Sequence, residues 1–246
     1  MDFDIVIIGA GVVGMAVGRA LKNESDKICL IEKNNSYGLE TSSRNSEVIH
    51  SGIYYAKDSL KSKLCISGNR MLYEHCDEKS IPYDKCGKLI IANNEDSYGK
   101  LLELKANADL LNIKYSFLNE NQIKEIEPLI KAKYAIQIES AGVIDSHFFM
   151  TSLKNDLNES NMSIAFKTEV TGISPISNGY RLKIKNPDNS STVVSTKVLI
   201  NCAGLYASSI ASLLGMKDNK YQTQFWKGTY FWINNKHAKS IKSLIY

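Results

Sequence analysis

The chain opens on a hydrophobic run that changes its period at a glycine-rich turn. Residues 5–8 are four consecutive β-branched side chains, a pattern typical of a strand buried on both faces of a parallel sheet. The run ends at G-x-G-x-x-G, formed by Gly9, Gly11 and Gly14, and a helical pattern follows up to Leu21. A second apolar run over residues 28–31 ends at Glu32. This order of strand, glycine turn, helix, strand and acid predicts a dinucleotide-binding β-α-β unit.

The glycines and the acid have separate expected roles in such a unit. Gly9 permits the tight turn, Gly11 lets the backbone approach a pyrophosphate, and Gly14 lets the helix pack close to the strand. The helix N-terminus offers N–H groups to the phosphates, and Glu32 can accept hydrogen bonds from a ribose diol. NAD and FAD both bind this unit, so both cofactors stay open at this point.

Patterns along the rest of the chain predict a mixed α/β fold. Helices are expected over residues 59–76, 96–111, 119–127, 147–158 and 205–214. Strands are expected over residues 86–92, 114–118, 134–138, 142–145, 164–173, 180–184 and 193–200. The dinucleotide-type strands lie towards both ends of the chain, and the middle has a different pattern of hydrophobic and polar residues. We therefore expect a Rossmann-like nucleotide domain over 1–80 and 143–217, with an inserted α+β substrate domain over 81–142 and 218–246.

Composition excludes several classes of protein. A net charge of +4 on 246 residues is too small to indicate nucleic-acid binding. The five cysteines form no C-x-x-C pair and no metal-site spacing, which favours buried free thiols in a reducing compartment and no metal. The N-terminus lacks the basic region of a signal peptide, and the apolar residues 5–18 are too few to cross a bilayer. We expect a soluble, cytoplasmic protein.

A second glycine signature lies far downstream and bears on the choice of cofactor. An apolar strand over residues 198–200 leads into Cys202, Ala203 and Gly204, and a helical pattern follows. This resembles the second dinucleotide-domain signature of FAD-dependent oxidoreductases, in which Ala203 and Gly204 would lie near the flavin. Taken with the first signature, it favours FAD over NAD, held without a covalent link.

Several further stretches resemble one family. Residues 41–55 read T-S-S-R-N-S-E-V-I-H-S-G-I-Y-Y, and with residues 59–65, 83–89, 142–145, 202–206 and 227–231 they resemble L-2-hydroxyglutarate dehydrogenases of the D-amino-acid oxidase-like superfamily. Arg44 and Glu47 depart from the pattern, since members commonly carry His and Gly there. Members also continue well past residue 246. The resemblance therefore implies an incomplete substrate domain here, with its sheet ending near residues 230–233.

The resemblance and the chemistry together suggest site residues. His50 follows a Val-Ile pair and precedes a Ser-Gly turn, and we expect it to be the general base, with a structural histidine as the alternative. His75, His147 and His237 are expected to be structural or solvated, and Lys61 and Lys63 to form a solvated helix face. Tyr54, Tyr55 and Lys227 are the expected substrate-binding residues.

A polar cluster after the second strand is expected near the pyrophosphate, with a solvated loop as the alternative. It comprises Ser42, Ser43, Arg44, Asn45 and Ser46. Lys33 is expected beside the adenine, and the resemblance places the backbone of Val170 against the same ring, although plain strand packing would also explain this valine.

The implied activity is oxidation of L-2-hydroxyglutarate, or of a similar small 2-hydroxy acid, to the 2-oxo acid, with electrons passing from FAD to a quinone or oxygen. Two alternatives stay open: an amino-acid or amine oxidase of the same superfamily, and an inactive truncated remnant or half of a split gene. In the last case a downstream polypeptide would complete the fold. Peripheral contact with the inner face of the membrane also stays open.

Overall fold

The computed structural model describes residues 1–216, 222–231 and 240–246. The expectations for His237 and for part of the sheet edge at residues 230–233 lie outside these ranges. The described chain forms two compact units, each built from two separate stretches. The first unit comprises residues 1–45 and 146–228, and the second comprises residues 46–145 and 229–246.

The elements alternate between strand and helix, which confirms the predicted α/β class. The strands are β1 Phe3–Ile8, β2 Ile28–Ile31, β3 Val48–Ile49, β4 Tyr83–Asp84, β5 Lys88–Ala92, β6 Ser116–Asn119, β7 Tyr134–Ile138, β8 Gly142–Ile144, β9 Ser163–Ala165, β10 Glu169–Ile176, β11 Gly179–Lys185, β12 Ser191–Asn201 and β13 Leu244–Ile245. The helices are α1 Val12–Leu21, α2 Leu60–Lys79, α3 Glu95–Leu111, α4 Glu120–Ile126, α5 Ser146–Asn158 and α6 Ala207–Ser212. Short 3₁₀ turns cover Thr41–Ser43 and Gly204–Tyr206.

The first unit is a six-stranded sheet in the order β10-β11-β12-β1-β2-β9. β1 lies inside it and pairs in parallel with both β2 and β12. Ile7 packs on one face with residues of α1 and α5, whereas Val6 and Ile8 pack on the other face with residues of β10 and β11. Both faces of β1 are covered, which is why its sequence is continuously apolar instead of alternating.

One predicted strand, residues 164–173, is wrong: it is two strands with different partners. β9 pairs in parallel with β2, and β10 pairs antiparallel with β11. Between them Lys167 adopts a positive φ of 52°, and its N–H donates to the Asn34 carbonyl at 2.8 Å. The Thr168 N–H donates to the Glu32 carbonyl at 2.9 Å. The strand is interrupted at these residues because their two amides donate to carbonyls of the backbone that follows β2.

The second unit holds a four-stranded sheet, β13-β5-β7-β6, and a three-stranded sheet, β3-β8-β4. α3 packs on the larger sheet through Leu101 and Ala108, which share a core with Ile136 and Ile138. Asparagine capping boxes at Asn94 and Asn119 set the starts of α3 and α4.

The division of the chain differs from the expected one. Residues 46–80 lie in the second unit and not in the nucleotide domain, because α2 packs there. Ile66 packs against the core of the second unit, and the Asn69 amide donates to the Ser140 carbonyl at 2.8 Å. Residues 143–145 also belong to the second unit, since β8 pairs with β3 and β4. Residues 222–228 are assigned to the first unit.

All five cysteines are free thiols, but only Cys29 and Cys76 are buried, whereas Cys65, Cys86 and Cys202 are part-exposed. Burial raises the pKa of the Cys29 and Cys76 thiols to about 11. Within the described ranges, no helix combines the length and apolarity needed to cross a bilayer.

Candidate active site

The two glycine signatures lie side by side in the first unit. Gly9 has a φ of +105°, and a Cβ there would lie 2.5 Å from the Cys202 carbonyl oxygen. The Cys202 N–H donates to the Ile8 carbonyl at 2.8 Å, which ties the downstream turn to the end of β1. A Cβ at Gly14 would overlap the Gly9 carbonyl oxygen, so α1 crosses the turn with no room for a side chain. These close approaches require glycine at both positions.

Glu32 is fixed against the glycine turn by its own carboxylate. One oxygen accepts the Ala10 N–H at 2.8 Å, and the other accepts the Asn34 N–H at 2.8 Å. The residue is only 8% exposed. An ionised carboxylate has about four lone-pair sites, so each oxygen keeps capacity for a further donor such as a ribose hydroxyl. The arrangement fits a diol acceptor whose position is set before the ligand arrives.

The N-terminus of α1 is open in the way a phosphate site requires. Its N-cap is Gly11, which has no side chain to cap the helix, and the Val12 N–H donates to the Ser42 hydroxyl at 3.0 Å. That hydroxyl would lie 3.0 Å from a Cβ at Gly11. Ser42 accepts from the helix and retains its own O–H as a donor. Ser42, the glycines and the helix dipole therefore fit a bound pyrophosphate.

The rest of the predicted polar cluster serves mainly its own loop. The Ser43 hydroxyl donates to the Glu40 carbonyl at 3.1 Å, and the Asn45 amide donates to the Ser42 carbonyl at 2.9 Å. Arg44 is exposed, and Ser46 lies in the second unit. Of the five polar residues, the structure brings Ser42 directly to the glycine turn. The pyrophosphate role of the other four stays a prediction.

Lys33 lies directly after Glu32 and forms a contact that the sequence did not indicate. Its Nζ is 3.2 Å from the ring centroid of Tyr206 and 3.4 Å from a carboxylate oxygen of Glu40. A hydrogen bond from Asn34, with smaller contributions from Lys33 and Arg44, lowers the pKa of Glu40. Lys33 thus joins the end of β2 to the 3₁₀ turn that follows Ala203, and the placement of the adenine beside it stays a prediction.

Four other predicted binding residues make no contact that points to a ligand. Val170 is buried in β10 with its side chain in the core, so only its backbone could meet a ligand. Gly204 has a φ of +54° and open space where a Cβ would lie, and the Ala203 N–H donates to the Asn201 side chain at 3.2 Å. Lys227 is exposed, and it lies in a segment with neither helix nor strand.

His50 follows β3 in the second unit, as its position after the Val-Ile pair predicts. Its carbonyl accepts the Asn69 amide at 3.1 Å and the Cys65 thiol at 3.5 Å, so α2 fixes the backbone of the histidine. The imidazole itself is exposed. Of the other histidines, His75 is buried in α2 and His147 is exposed at the start of α5.

The surroundings of His50 favour its neutral form. Partial loss of hydration lowers its pKa, and the positive charges of Lys88 and Lys61 lower it further. A neutral imidazole can accept a proton, so the group is suited to general-base chemistry near neutral pH.

Both predicted tyrosines share this cluster. The Lys88 Nζ lies 5.3 Å from the ring centroid of Tyr54, and the Lys61 Nζ lies 4.6 Å from that of Tyr55. The Asn107 amide donates to the carbonyls of Ile53 and Tyr55 at 2.7 and 3.0 Å, which fixes the loop to α3. Lys61 was expected to be merely solvated, and it is exposed, but it also contacts the predicted substrate loop.

Comparison with known proteins identifies the class. Residues 4–245 match the family model DAO, the FAD dependent oxidoreductases, and the chain belongs to this family. This assignment confirms the prediction of FAD as cofactor, and the glycine turn, Glu32 and Ser42 are the residues that fit it.

Individual relatives narrow the resemblance. The chain is 32% identical over 257 residues to the mitochondrial L-2-hydroxyglutarate dehydrogenase of Homo sapiens, across 100% of this chain and 55% of the relative. It is 30% identical over 246 residues to the L-2-hydroxyglutarate dehydrogenase of Escherichia coli strain K12, across 99% of this chain and 57% of the relative. The chain therefore spans just over half the length of these curated relatives.

Solved structures show the same fold. L-alpha-glycerophosphate oxidase from Mycoplasma pneumoniae, determined with FAD bound, matches with a TM-score of 0.80 and 28% identity, across 86% of this chain and 56% of that one. Glycine oxidase from Geobacillus kaustophilus matches with a TM-score of 0.76 at 18% identity, across 87% of this chain and 58% of that one.

Glu32→Gln is expected to weaken FAD binding by about tenfold or more. The amide has one acceptor oxygen, so either the Ala10 or the Asn34 N–H would face an NH₂ group, and hydrogen bonds to a charged acceptor contribute roughly 1.5–3 kcal/mol. Titrating the apo-chain with FAD and following flavin fluorescence gives the Kd. Glu24→Gln removes the same charge from an exposed site and should leave the Kd unchanged. Equal Kd values for the two variants would contradict the role of Glu32.

Proposed function

We propose that this protein oxidises L-2-hydroxyglutarate, or a similar small 2-hydroxy acid, to the corresponding 2-oxo acid with FAD. The observation that carries the proposal is the setting of His50. It is a histidine with a lowered pKa, fixed at a strand end and facing two lysine charges. The names of the relatives support it, because identities of 30–32% extend over nearly the whole chain.

The chemistry that bound FAD supplies is acceptance of a hydride from the carbinol carbon of the substrate. The hydroxyl proton moves to an imidazole nitrogen of His50, so the alcohol loses one hydride and one proton overall. The hydrogen bonds from Asn69 and Cys65 hold the backbone of His50 in place for that transfer. Tyr54 or Tyr55 donates its hydroxyl to a substrate carboxylate, and Lys227 attracts the anionic substrate.

Oxidation of an alcohol is favoured over oxidation of an amine. The solved structure with 28% identity is an oxidase named for L-alpha-glycerophosphate, which like L-2-hydroxyglutarate is an anionic alcohol. Glycine oxidase, at 18% identity, supports the fold alone. We further propose that a quinone or oxygen accepts the electrons from the reduced flavin, and that peripheral contact with a membrane would serve delivery to a quinone.

Anaerobic mixing tests this function. L-2-Hydroxyglutarate added to the FAD-loaded protein is expected to bleach the flavin absorbance, whereas D-2-hydroxyglutarate, glycine and L-proline should leave it unchanged. Bleaching by the amino acids instead of the hydroxy acid would favour the amine-oxidase alternative. An unchanged spectrum with every hydroxy acid tried, despite bound FAD, would contradict the proposal.

A further inference from the structure

Among the residues that the structure describes, Lys88 is a buried cation without an acidic partner. Its side chain is 1% exposed at the start of β5, among the most deeply buried large side chains of the protein. Over residues 1–216, 222–231 and 240–246, none of the ion pairs involves Lys88. Its Nζ faces two aromatic rings instead, with centroids 3.7 Å away at Tyr246 and 5.3 Å away at Tyr54. A lysine is almost never fully buried unless it is paired, because desolvating its charge is costly.

The charges that act on His50 have one sign, and the Cys65 thiol, whose pKa is raised by burial, lies in the same cluster. Lys88 and Lys61 both act on His50 and on Cys65, and burial followed by these cations lowers the pKa of His50. In the described part of the chain, no carboxylate contributes to the pKa of either Lys88 or His50. Among the described residues, the cluster formed by Lys88, Lys61, His50 and Tyr54 therefore has a positive potential that no carboxylate offsets.

We propose that Lys88, assisted by Lys61, is the anion subsite that binds a carboxylate of the substrate next to His50. The identity of that carboxylate rests on the proposed function, but the anion subsite itself rests on the buried ammonium and its aromatic neighbours. A methionine of similar length would fill the same space in β5 without the cost of a buried charge. A buried cation that lowers stability is typical of a ligand-binding site, where the ligand supplies the missing charge.

Anion binding at this subsite would also change the pKa of His50. A carboxylate beside Lys88 offsets the positive charge that disfavours the imidazolium, so the pKa of His50 rises when the anion binds. The substrate thereby strengthens the group that removes its own proton. This coupling is reciprocal, so protonation of His50 tightens anion binding by the same free energy.

Glutarate is the probe for the subsite, because it has two carboxylates and no hydroxyl to oxidise. NMR titration of the FAD-loaded chain, with histidine labelled, is expected to show a higher pKa for His50 with glutarate than without it. Uncharged glutaramide should leave the pKa unchanged. This measurement needs no variant, and an unchanged His50 pKa at saturating glutarate would overturn the proposal.

Variants separate a binding role from a structural one. Lys88→Met is expected to weaken glutarate binding at least tenfold, to raise the pKa of His50 in the free protein, and to leave the melting temperature equal or higher. Lys63→Met, on the exposed face of α2, is the matched control and should retain the wild-type Kd. A lower melting temperature for Lys88→Met with an unchanged glutarate Kd would show that Lys88 is structural.

The outcome for the subsite is distinguishable from the outcome for the activity. Flavin reduction by L-2-hydroxyglutarate, combined with a wild-type KM in Lys88→Met, would refute the subsite and leave the proposed function intact. Glutarate binding through Lys88 without any oxidation of L-2-hydroxyglutarate would support the subsite and refute the function.

Discussion

His50→Asn is expected to lower the rate of flavin reduction by L-2-hydroxyglutarate by about 10²–10⁴, the range typical for loss of a general base. Asparagine is polar and of similar size, but its amide cannot accept the hydroxyl proton. The contacts from Asn69 and Cys65 go to the backbone carbonyl of residue 50, so they survive the substitution. Anaerobic stopped-flow measurement of flavin bleaching gives the rate, and the absorbance spectrum before mixing reports the bound FAD.

The pH dependence gives a second readout of the same residue. Because burial and the lysines lower the pKa of His50, kcat/KM should rise with pH through a value below the ordinary 6.5 for histidine. The direction follows from the base: protonation at low pH removes the proton acceptor. If the anion subsite raises this pKa on binding, the corresponding rise in kcat lies at higher pH.

The control for this prediction is His147→Asn, at an exposed position that starts α5 in the first unit. It should retain both the wild-type rate and the pH-dependent rise. His50→Asn should lose the rise along with the rate. A His50→Asn protein that reduces its flavin as fast as the wild type would show that the histidine has only a structural role.

Gly14→Ala is expected to cost about 3 kcal/mol or more in the free energy of unfolding, at or beyond the upper end of typical overpacking effects. The added Cβ would overlap the Gly9 carbonyl oxygen, and a backbone oxygen cannot rotate away as a side chain can. α1 would have to move off β1, which opens the turn that holds the pyrophosphate. Chemical denaturation followed by circular dichroism measures the loss of stability, and the same sample reports FAD content by its absorbance.

The matched control is Gly99→Ala, the same change inside α3. A Cβ at Gly99 has no atom within 4 Å, so the substitution should stabilise the chain by roughly 0.5–1 kcal/mol through helix propensity alone. The opposite signs of the two effects test the packing argument. A Gly14→Ala protein with wild-type stability and full FAD content would contradict it.

Local patterns made much of the fold predictable from sequence. The β1-α1-β2 unit is specified by residues close together in the chain, and the asparagine caps mark the starts of α3 and α4. The division of residues 164–173 was not predictable, because it depends on hydrogen bonds from Lys167 and Thr168 to the backbone after β2, far away in sequence. The place of α2 in the second unit likewise depends on a distant partner, Ser140.

The same distinction applies to the candidate site. Glycine motifs, an acid after the second strand and a histidine at a strand end are recognisable from the sequence, so Gly9, Glu32 and His50 could be identified. Lys88 could not, because lysine is ordinarily a surface residue and only the burial of β5 shows otherwise. Its sequence signals are its place directly before the apolar run 89–92 and its place in the stretch 83–89 that resembles the family, and neither indicates burial. Asn69 and Asn107 were not predictable either, because their amides act on backbone carbonyls that lie close only after folding.

The placement of β1 between β2 and β12 also determines when β1 can complete its pairing during synthesis on the ribosome. Ile8 pairs with Asn201, so the second edge of the first strand stays unmatched until nearly the whole of residues 9–201 has been synthesised. At translation speeds of about 5–20 residues per second, that delay is on the order of ten seconds or longer. During this delay, the nascent chain exposes an unpaired strand edge that can pair with other chains. We therefore expect the yield of folded protein to depend on factors that cover exposed apolar strands during synthesis.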